Sequence, residues 1–469
     1  MQKKLLDAVV IGTGLSSLTF IDAYLERKKK IHVISFKKNS KKKYNIKNKH
    51  IFKILPPQMT GKERQVGDYF QNNQIIVNKN CKYYGSMEFG GLSNYWGLQI
   101  DKNISGDIKH LTSKTKKNIH NAFVEIFKKL NLIGLIKDNK ILLDNSYKKN
   151  DYISKEFFKK NKDLIVDEPI LGFQKKSKTK IKLENINEQK DKLNPLNFFN
   201  KYLKKKNIIF HNYFVEKIEN HKQGLSIICS DGEKKKIFLT KKLILGCGTL
   251  ITTKLIMDYL NISKEVKINH HPRLFTLFFS KQKWKSKMQF QPSHLHLKSK
   301  KKPYLFTADF RPGNKAIINA VIKFKFFLLP FKFVLNILKE HLIFSNIFLE
   351  SSYGNLYIKK KNKVFEVYSK NRNINHIFKK VSNMIYKFLL KTKKIIPFFI
   401  HYFPGYGADF HYFGTILMGK KNSLSVNEKC QLNQNKNIYL IDGSVFNFKK
   451  NKYPLGLIMA NSRRIGKEI

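Results

Sequence analysis

Ala8-Val9-Val10-Ile11-Gly12-Thr13-Gly14-Leu15-Ser16-Ser17 is the stretch that decides the fold class. Its first four residues form a continuous apolar run, as expected of a parallel strand buried on both faces, and a glycine turn leads straight into a helical pattern. Gly12 permits a tight turn, Gly14 lets the backbone approach a pyrophosphate, and Ser17 stands where a small residue allows close contact between helix and sheet. Phosphates would then meet the helix N-terminus, whose unpaired N–H groups and dipole favour negative charge. The plainer reading of the same residues is a strand, turn and helix with no ligand. A secretory leader fits less well. Lys3 and Lys4 do precede the apolar run, but glycines at 12 and 14, no small-x-small cleavage site, and the acids Asp22 and Glu26 favour a nucleotide-binding unit that starts from Met1.

Working outward, Ile31-His32-Val33-Ile34 reads as the second strand. Where such a unit usually carries an acid for the adenosine ribose, this chain has Ser35, whose hydroxyl can bond a ribose with less charge assistance than a carboxylate. Gly90-Gly91-Leu92-Ser93-Asn94-Tyr95-Trp96-Gly97 sets small residues beside an aromatic pair. Backbone can pass close to a flat ring there while Asn94 supplies a polar contact; a glycine-rich loop between strands is the alternative. Residues 207–210 and 215–218 read as short strands.

The C-terminal part carries His411-Tyr412-Phe413-Gly414-Thr415, then Met418-Gly419, then Ile438-Tyr439-Leu440-Ile441-Asp442-Gly443-Ser444, and finally Tyr453-Pro454 running into Ile458-Met459-Ala460-Asn461. Taken with the N-terminal glycines, this resembles the glucose-methanol-choline (GMC) flavoprotein oxidoreductases, near the branch of the pyranose and cholesterol oxidases. The resemblance implies FAD as cofactor, His411 as the catalytic base, and Asp442 and Gly443 facing the flavin. The block at 90–97 is similar to the family's Gly-Gly-x-Ser-x-x-Trp segment along the isoalloxazine, which implies flavin contacts for Gly91, Ser93 and Asn94. Some members attach FAD through a histidine at the position of Tyr95, so tyrosine here implies a non-covalent flavin. Lys242-Leu243-Ile244-Leu245-Gly246-Cys247-Gly248 looks like the turn that returns the chain to the FAD sheet and implies a cofactor role for Gly248. His271-Pro272 falls where the family crosses to its substrate domain. A Lys37-Lys38 pair would suit a 2′-phosphate, but the remaining motifs favour FAD over NADP. Family members place a second hydrogen-bonding residue, His or Asn, beside a proline after the base. In this chain Tyr453, next to Pro454 and 42 positions after His411, occupies that place, with Asn451 as a fallback.

At 469 residues the chain exceeds one ordinary core. The expected fold is α/β: a discontinuous Rossmann-like FAD-binding domain (1–105, 190–270 and 405–469) and an α+β substrate-binding domain (106–189 and 271–404). The antiparallel sheet of the second would cover the flavin, with 295–297, 346–349 and 356–367 as candidate strands.

Charge is the second unusual property. The chain has 91 Lys plus Arg against 33 Asp plus Glu, a net charge of +58, and only seven of the 91 are arginines, leaving 84 lysines. A field this positive attracts anionic surfaces or substrates. Nucleic acid is disfavoured as a partner, because the lysines are scattered, arginine is rare, and no helix-turn-helix, RNA-recognition or zinc-finger motif is present. An anionic membrane suits better. In residues 324–349, Phe331, Val334, Leu335, Leu338 and Leu342 fall on one helical face with Lys332, Asn336 and Lys339 opposite, a composition for a basic helix lying in a bilayer interface and too interrupted to span one. A core-facing helix of the substrate domain is the alternative. Cys81, Cys229, Cys247 and Cys430 show no metal or redox spacing, and four thiols without a leader suggest a reducing, cytoplasmic setting, with peripheral contact at the inner face of a membrane. No metal is expected, since His270 and His271 are adjacent and cannot easily face one ion.

Flavin alcohol oxidation needs one base within reach of the substrate hydroxyl, and a neutral imidazole such as His411 suits that task. Three functions follow. The first is an FAD-dependent oxidoreductase acting on a CH–OH group of a sugar or other alcohol, anionic or lipid-linked, in surface-polysaccharide metabolism. The others are a sterol or lipid-alcohol oxidase at a membrane, and a catalytically impaired flavin-binding basic scaffold, to which Ser35 and Tyr453 point.

Overall fold

Strand Leu5–Ile11 lies inside an eight-stranded sheet, parallel to Ile31–Ile34 on one side and to Lys235–Leu245 on the other. Val9 and Val10 are fully buried, which is why the run is apolar without alternation. The sheet continues through Ile208–His211 beyond Ile31–Ile34, and through the antiparallel meander Phe214–His221, Gly224–Ser230 and Lys235–Leu245. Asn435–Leu440 joins it parallel to Lys235–Leu245. Ile11, Ile34, Leu245 and Leu440 therefore all end at one edge, the carboxyl side where doubly wound sheets bind ligands. The computed structural model describes residues 4–36, 76–142, 164–172, 193, 195, 207–283, 295–299 and 304–469, interrupted at 29, 87–88, 95, 102–103, 133–134, 138–139, 168–169, 314–317, 320–321, 323–325, 371–372, 392, 421 and 450–452. Lys37, Lys38, Tyr95 and Asn451 lie outside the described residues.

Helices Leu15–Tyr24 and Ser113–Lys129 both pack against the closing helix Leu455–Glu468. Arg463 sits in the centre of the three. Its guanidinium donates to Asp22 at 2.7 Å, Glu26 at 2.6 Å and Glu125 at 2.8 Å, so the acids of the first helix are partners of the last. Lys129 also pairs with Glu26 and Lys467 with Glu125, so the cluster is a network with Arg463 as its buried member. Helix Ser113–Lys129 belongs by sequence to the expected substrate domain, yet its buried Ile119, Phe123 and Phe127 join the core of the nucleotide sheet. Its strong amphipathicity needed an apolar partner, and the closing helix supplied one.

A second, six-stranded antiparallel sheet has the order Ile395–Tyr402, Arg273–Ser280, Leu342–Leu349, Phe306–Pro312, Leu295–Ser299, Leu164–Asp167. Alternation gives it two unlike faces. Leu274, Phe278, Phe310 and Ile347 join the core that includes Ile377, Val381 and Ile385 of helix Asn375–Leu390. Arg273, Asp309, Arg311, Asn346 and Phe348, from the opposite face, line a cavity beneath the sheet. Two expectations change here. Residues 356–367 form a hairpin, Leu356–Lys361 with Val364–Ser369, that pairs instead with Val266–Ile268 and Ile76–Lys79 in a separate sheet. The helix expected after Pro330 spans only Lys332–Ile337 and a 3-10 turn Leu338–His341 before Leu342 starts a strand, because the aromatic and β-branched run 342–349 favours the pleated sheet.

Candidate active site

The cavity, about 370 Å³, runs from the carboxyl edge of the nucleotide sheet to the underside of the antiparallel one. That volume is in the range of small-molecule sites. Gly12, Gly14, Ser35, Gly91, Ser93, Gly248, Asp442, Gly443, His411 and Tyr453 all line it. Ser17 and Asn94 do not. The Ser17 hydroxyl donates to Gly246 O at 3.2 Å and fastens helix to sheet, whereas the Asn94 amide donates to Phe89 O at 2.7 Å and holds its own loop.

At the first end the lining is mostly backbone. Gly12 has φ +105°, and a Cβ there would meet Gly246 O at 2.5 Å, so both conformation and space require glycine. Helix Leu15–Tyr24 starts at Gly14 with no side-chain cap within it, and the loop 90–94 closes over this turn. Ser93 Oγ accepts the Leu15 N–H at 3.1 Å, and Thr13 Oγ1 accepts the Gly90 N–H at 2.9 Å while lying 3.2 Å from Ser35 Oγ. Gly248, at φ +86°, has nothing within 4 Å of where a Cβ would stand, so open space adjoins its backbone. The Asp442 carboxylate accepts the Thr252 hydroxyl and the Ser444 N–H, joining the 442–444 turn to the helix Thr249–Tyr259 that follows Gly248. Burial pushes the Asp442 carboxyl above its usual range, and these hydrogen bonds work the other way.

Side chains build the other end. His411 stacks on Phe348, ring centroids 5.3 Å apart, and meets the edge of His271 at 5.9 Å. Before it stands Phe410 at φ +67°, a left-handed conformation that costs a bulky aromatic residue roughly 1–3 kcal/mol. Phe410 is held there by stacking on Tyr84 at 4.1 Å, with the His411 N–H donating to Asp409 Oδ1 at 3.0 Å. The other Asp409 oxygen is 2.7 Å from His270 Nδ1, and His270 Nε2 accepts the Asn355 N–H at 3.2 Å, so Nδ1 is the donor to Asp409. Burial would raise the Asp409 carboxyl, but the His270 and His411 imidazoles hold it below its usual range. Tyr412 donates its hydroxyl to Gly407 O at 2.6 Å, accepts the Tyr84 N–H at 2.8 Å, and is pushed far up by burial. Tyr453, just before the closing helix, shares a 2.9 Å hydrogen bond with His296 Nε2.

The fold also occurs in a solved structure. The chain superposes on pyridoxine 4-oxidase from Mesorbium loti with a TM-score of 0.57 over 99% of this chain and 99% of that one, at 10% sequence identity. The fold is shared. No family model matches the chain, and no curated protein matches it.

Several groups in the cavity were not singled out in the sequence. His296 pairs in register with Asp309, Asp309 with Asn346, and Asn346 with Phe275, so one row across the antiparallel sheet brings Asp309 and Asn346 to the cavity and sets His296 behind Tyr453. Asp309 Oδ1 accepts the Asn346 amide at 2.8 Å and its Oδ2 pairs with Arg311 at 3.2 Å. Arg273, on the neighbouring strand, is buried over the Phe275 ring at 4.0 Å; burial pushes its guanidinium down to about 10, still charged at neutral pH. Gln99 lines the cavity with its amide nitrogen buried and without a hydrogen-bond partner among the described residues. Only Asp409, two residues before His411, had a local signal. Among the described residues no group of three or more His, Cys, Asp or Glu is placed to hold a metal, and no helix is long and apolar enough to cross a membrane.

Proposed function

We propose that the protein is an FAD-dependent oxidoreductase of the GMC type that oxidises a CH–OH group, with His411 as base. The observation that carries the reading is the continuity of one cavity from the Gly12–Gly14 turn to His411 and Tyr453, the latter hydrogen-bonded to His296. The fit to FAD rests on features of the chain: a helix N-terminus behind a turn only glycine can make, open space at Gly248, and the orphaned Gln99 amide. Gly12, Gly14 and Ser35 would hold the pyrophosphate and ribose, while Gly91, Ser93, Gly248, Asp442 and Gly443 would surround the ring. When bound, FAD supplies the acceptor for the hydride that leaves the carbinol carbon. His411 takes the hydroxyl proton, kept in place by Phe348 stacking and its backbone bond to Asp409. Tyr453, held by His296, orients the hydroxyl from the other side, and the antiparallel sheet excludes water. The fold shared with an oxidase named for its action on pyridoxine agrees with this class of chemistry.

The test is the absorption spectrum of the purified protein, then anaerobic addition of sugars and alcohols. Flavin bands released by acid precipitation and bleached by one substrate support the reading. A colourless protein that cannot be loaded with FAD overturns it and leaves a basic scaffold.

A lipid-linked or lipid-alcohol substrate is the second reading, and a surface feature favours it. Phe327, Phe333 and Ile337 are 64%, 75% and 63% exposed, and Phe331, Ile396 and Phe398 are exposed beside them in sequence or sheet. Buried Leu335 of the same short helix packs with Phe275, Leu277 and Phe344, on the face of the sheet that lines the cavity further along. With a net charge of +58, this ridge suits the surface of an anionic bilayer at the cavity's flank. Flotation with anionic liposomes should be lost in Phe333→Ser/Ile337→Ser, and equal flotation of both proteins removes the membrane contact.

A further inference from the structure

Five of the chain's seven arginines are described, and four of those five are buried: Arg273, Arg311, Arg463 and Arg464. Three of the four have evident partners. Arg463 has three carboxylates, Arg464 bonds Asn461, Glu428 O and Glu468, and Arg311 pairs with Asp309. Arg273 differs. It is 7% exposed and lines the cavity, its Nε has no hydrogen-bond partner, and among the described residues no carboxylate is within ion-pair distance of it. Asp309 and Asp409 are near enough to favour its charge, but each is already committed, to Arg311 and Asn346 in one case and to His270 in the other. A buried guanidinium without a counter-ion is costly, so its place in a ligand cavity calls for an anion from outside the chain.

We propose that Arg273 anchors a carboxylate of the substrate, so that the alcohol oxidised at His411 is a hydroxy acid or an acidic sugar. This rests on the alcohol-oxidising reading above and narrows it. Position supports it. Arg273 is the register partner of Phe348; its guanidinium is 5.8 Å from the Phe348 ring, and His411 stacks on that ring at 5.3 Å. Cation and base thus flank one aromatic wall, a span that a small hydroxy acid or a hexuronate can bridge. The planar fork of arginine pairs bidentately with a carboxylate, which the chain's abundant lysine cannot do. Charge count favours carboxylate over phosphate, since the charge of Arg311 is matched by Asp309 and one cation remains, beside Asp409, which would repel a second negative charge.

The experiment is calorimetric titration of the FAD-loaded protein with matched pairs: glucuronate and glucose, galacturonate and galactose, glycerate and glycerol, together with glucose 6-phosphate. At least one carboxylate should bind tenfold or more tighter than its neutral partner. Arg273→Gln should lose that difference while keeping its FAD and its affinity for the neutral compound, and Arg273→Lys should keep part of it. The proposal is overturned if no carboxylate outbinds its neutral partner in the wild-type protein, a comparison that needs no variant to fold. A preference that survives in Arg273→Gln, or glucose 6-phosphate binding tighter than every carboxylate, also overturns it. A protein that takes up no FAD defeats the alcohol-oxidising reading instead, and the same titrations on that protein still measure what Arg273 selects.

Discussion

The two ends of the cavity are built from different material. The end at Gly12, Gly14 and Gly248 is made of backbone, with glycines where a Cβ would collide with Gly246 or fill open space. The end at His411 is made of side chains: aromatic walls, the ring contacts of His411 with Phe348 and His271, and Asp309 and Asn346 from neighbouring strands of one sheet. A backbone-lined site tolerates no added atom but is indifferent to charge. A site lined by side chains is the reverse, keeping its shape when one group is trimmed while losing its chemistry. The cofactor end should therefore fail by steric insult and the chemical end by functional-group deletion, each without the other.

The largest effect expected is from Gly12→Val. Both the positive φ and the contact with Gly246 O forbid it, so FAD uptake should vanish and the melting temperature should fall, read by flavin absorbance and thermal denaturation. Normal FAD content in this variant would break the comparison at its first end. Next is His411→Ala, which should keep its flavin and slow substrate bleaching about 10²–10⁴-fold in anaerobic stopped flow, the usual contribution of a positioned base. Tyr453→Phe removes one hydrogen bond worth about 1 kcal/mol, so bleaching should slow roughly fivefold with FAD content unchanged. A hundredfold loss would promote Tyr453 from orienting group to participant. Asp409 sharpens the contrast through pH. Its folded carboxyl is held below the unfolded value of about 3.9, so it adds stability above that pH and loses it as pH falls through the lower folded value. In Asp409→Asn the melting temperature should vary less between pH 5 and about 3 than in the parent protein. The smallest effect is expected from Ser35→Asp, where a charge-assisted bond to a ribose should tighten FAD binding by no more than about tenfold.

The same division explains what the sequence reveals. A backbone site has a local signature, because the turn that makes it must be glycine in a fixed spacing, and Gly12, Gly14 and Gly248 could be read from short windows. The nucleotide sheet follows from the same windows, since the strands that meet the glycine turns end in the apolar runs Ala8–Ile11 and Leu243–Leu245. The chemical end is assembled by register. Arg273 and Phe348 are 75 positions apart in sequence and adjacent only because their strands pair, so nothing in either neighbourhood announces them. His296 likewise reaches Tyr453 across 157 positions. The hairpin 356–369 misled for a related reason: alternation marks a strand but does not say which sheet receives it. Pro330 with apolar residues three and four apart suggested one amphipathic helix. Beyond Ile337 the aromatic and β-branched residues followed the sheet instead, and tertiary pairing overrode the helical period.

Flavin content and anaerobic bleaching, measured together on the wild-type protein and His411→Ala, test the central claim most directly. The account predicts equal FAD in both and reduction by an alcohol in the first alone. Equal reduction in both, or loss of FAD on trimming His411, would contradict it, because the cavity's chemical end would then be either idle or inseparable from the end that holds the cofactor.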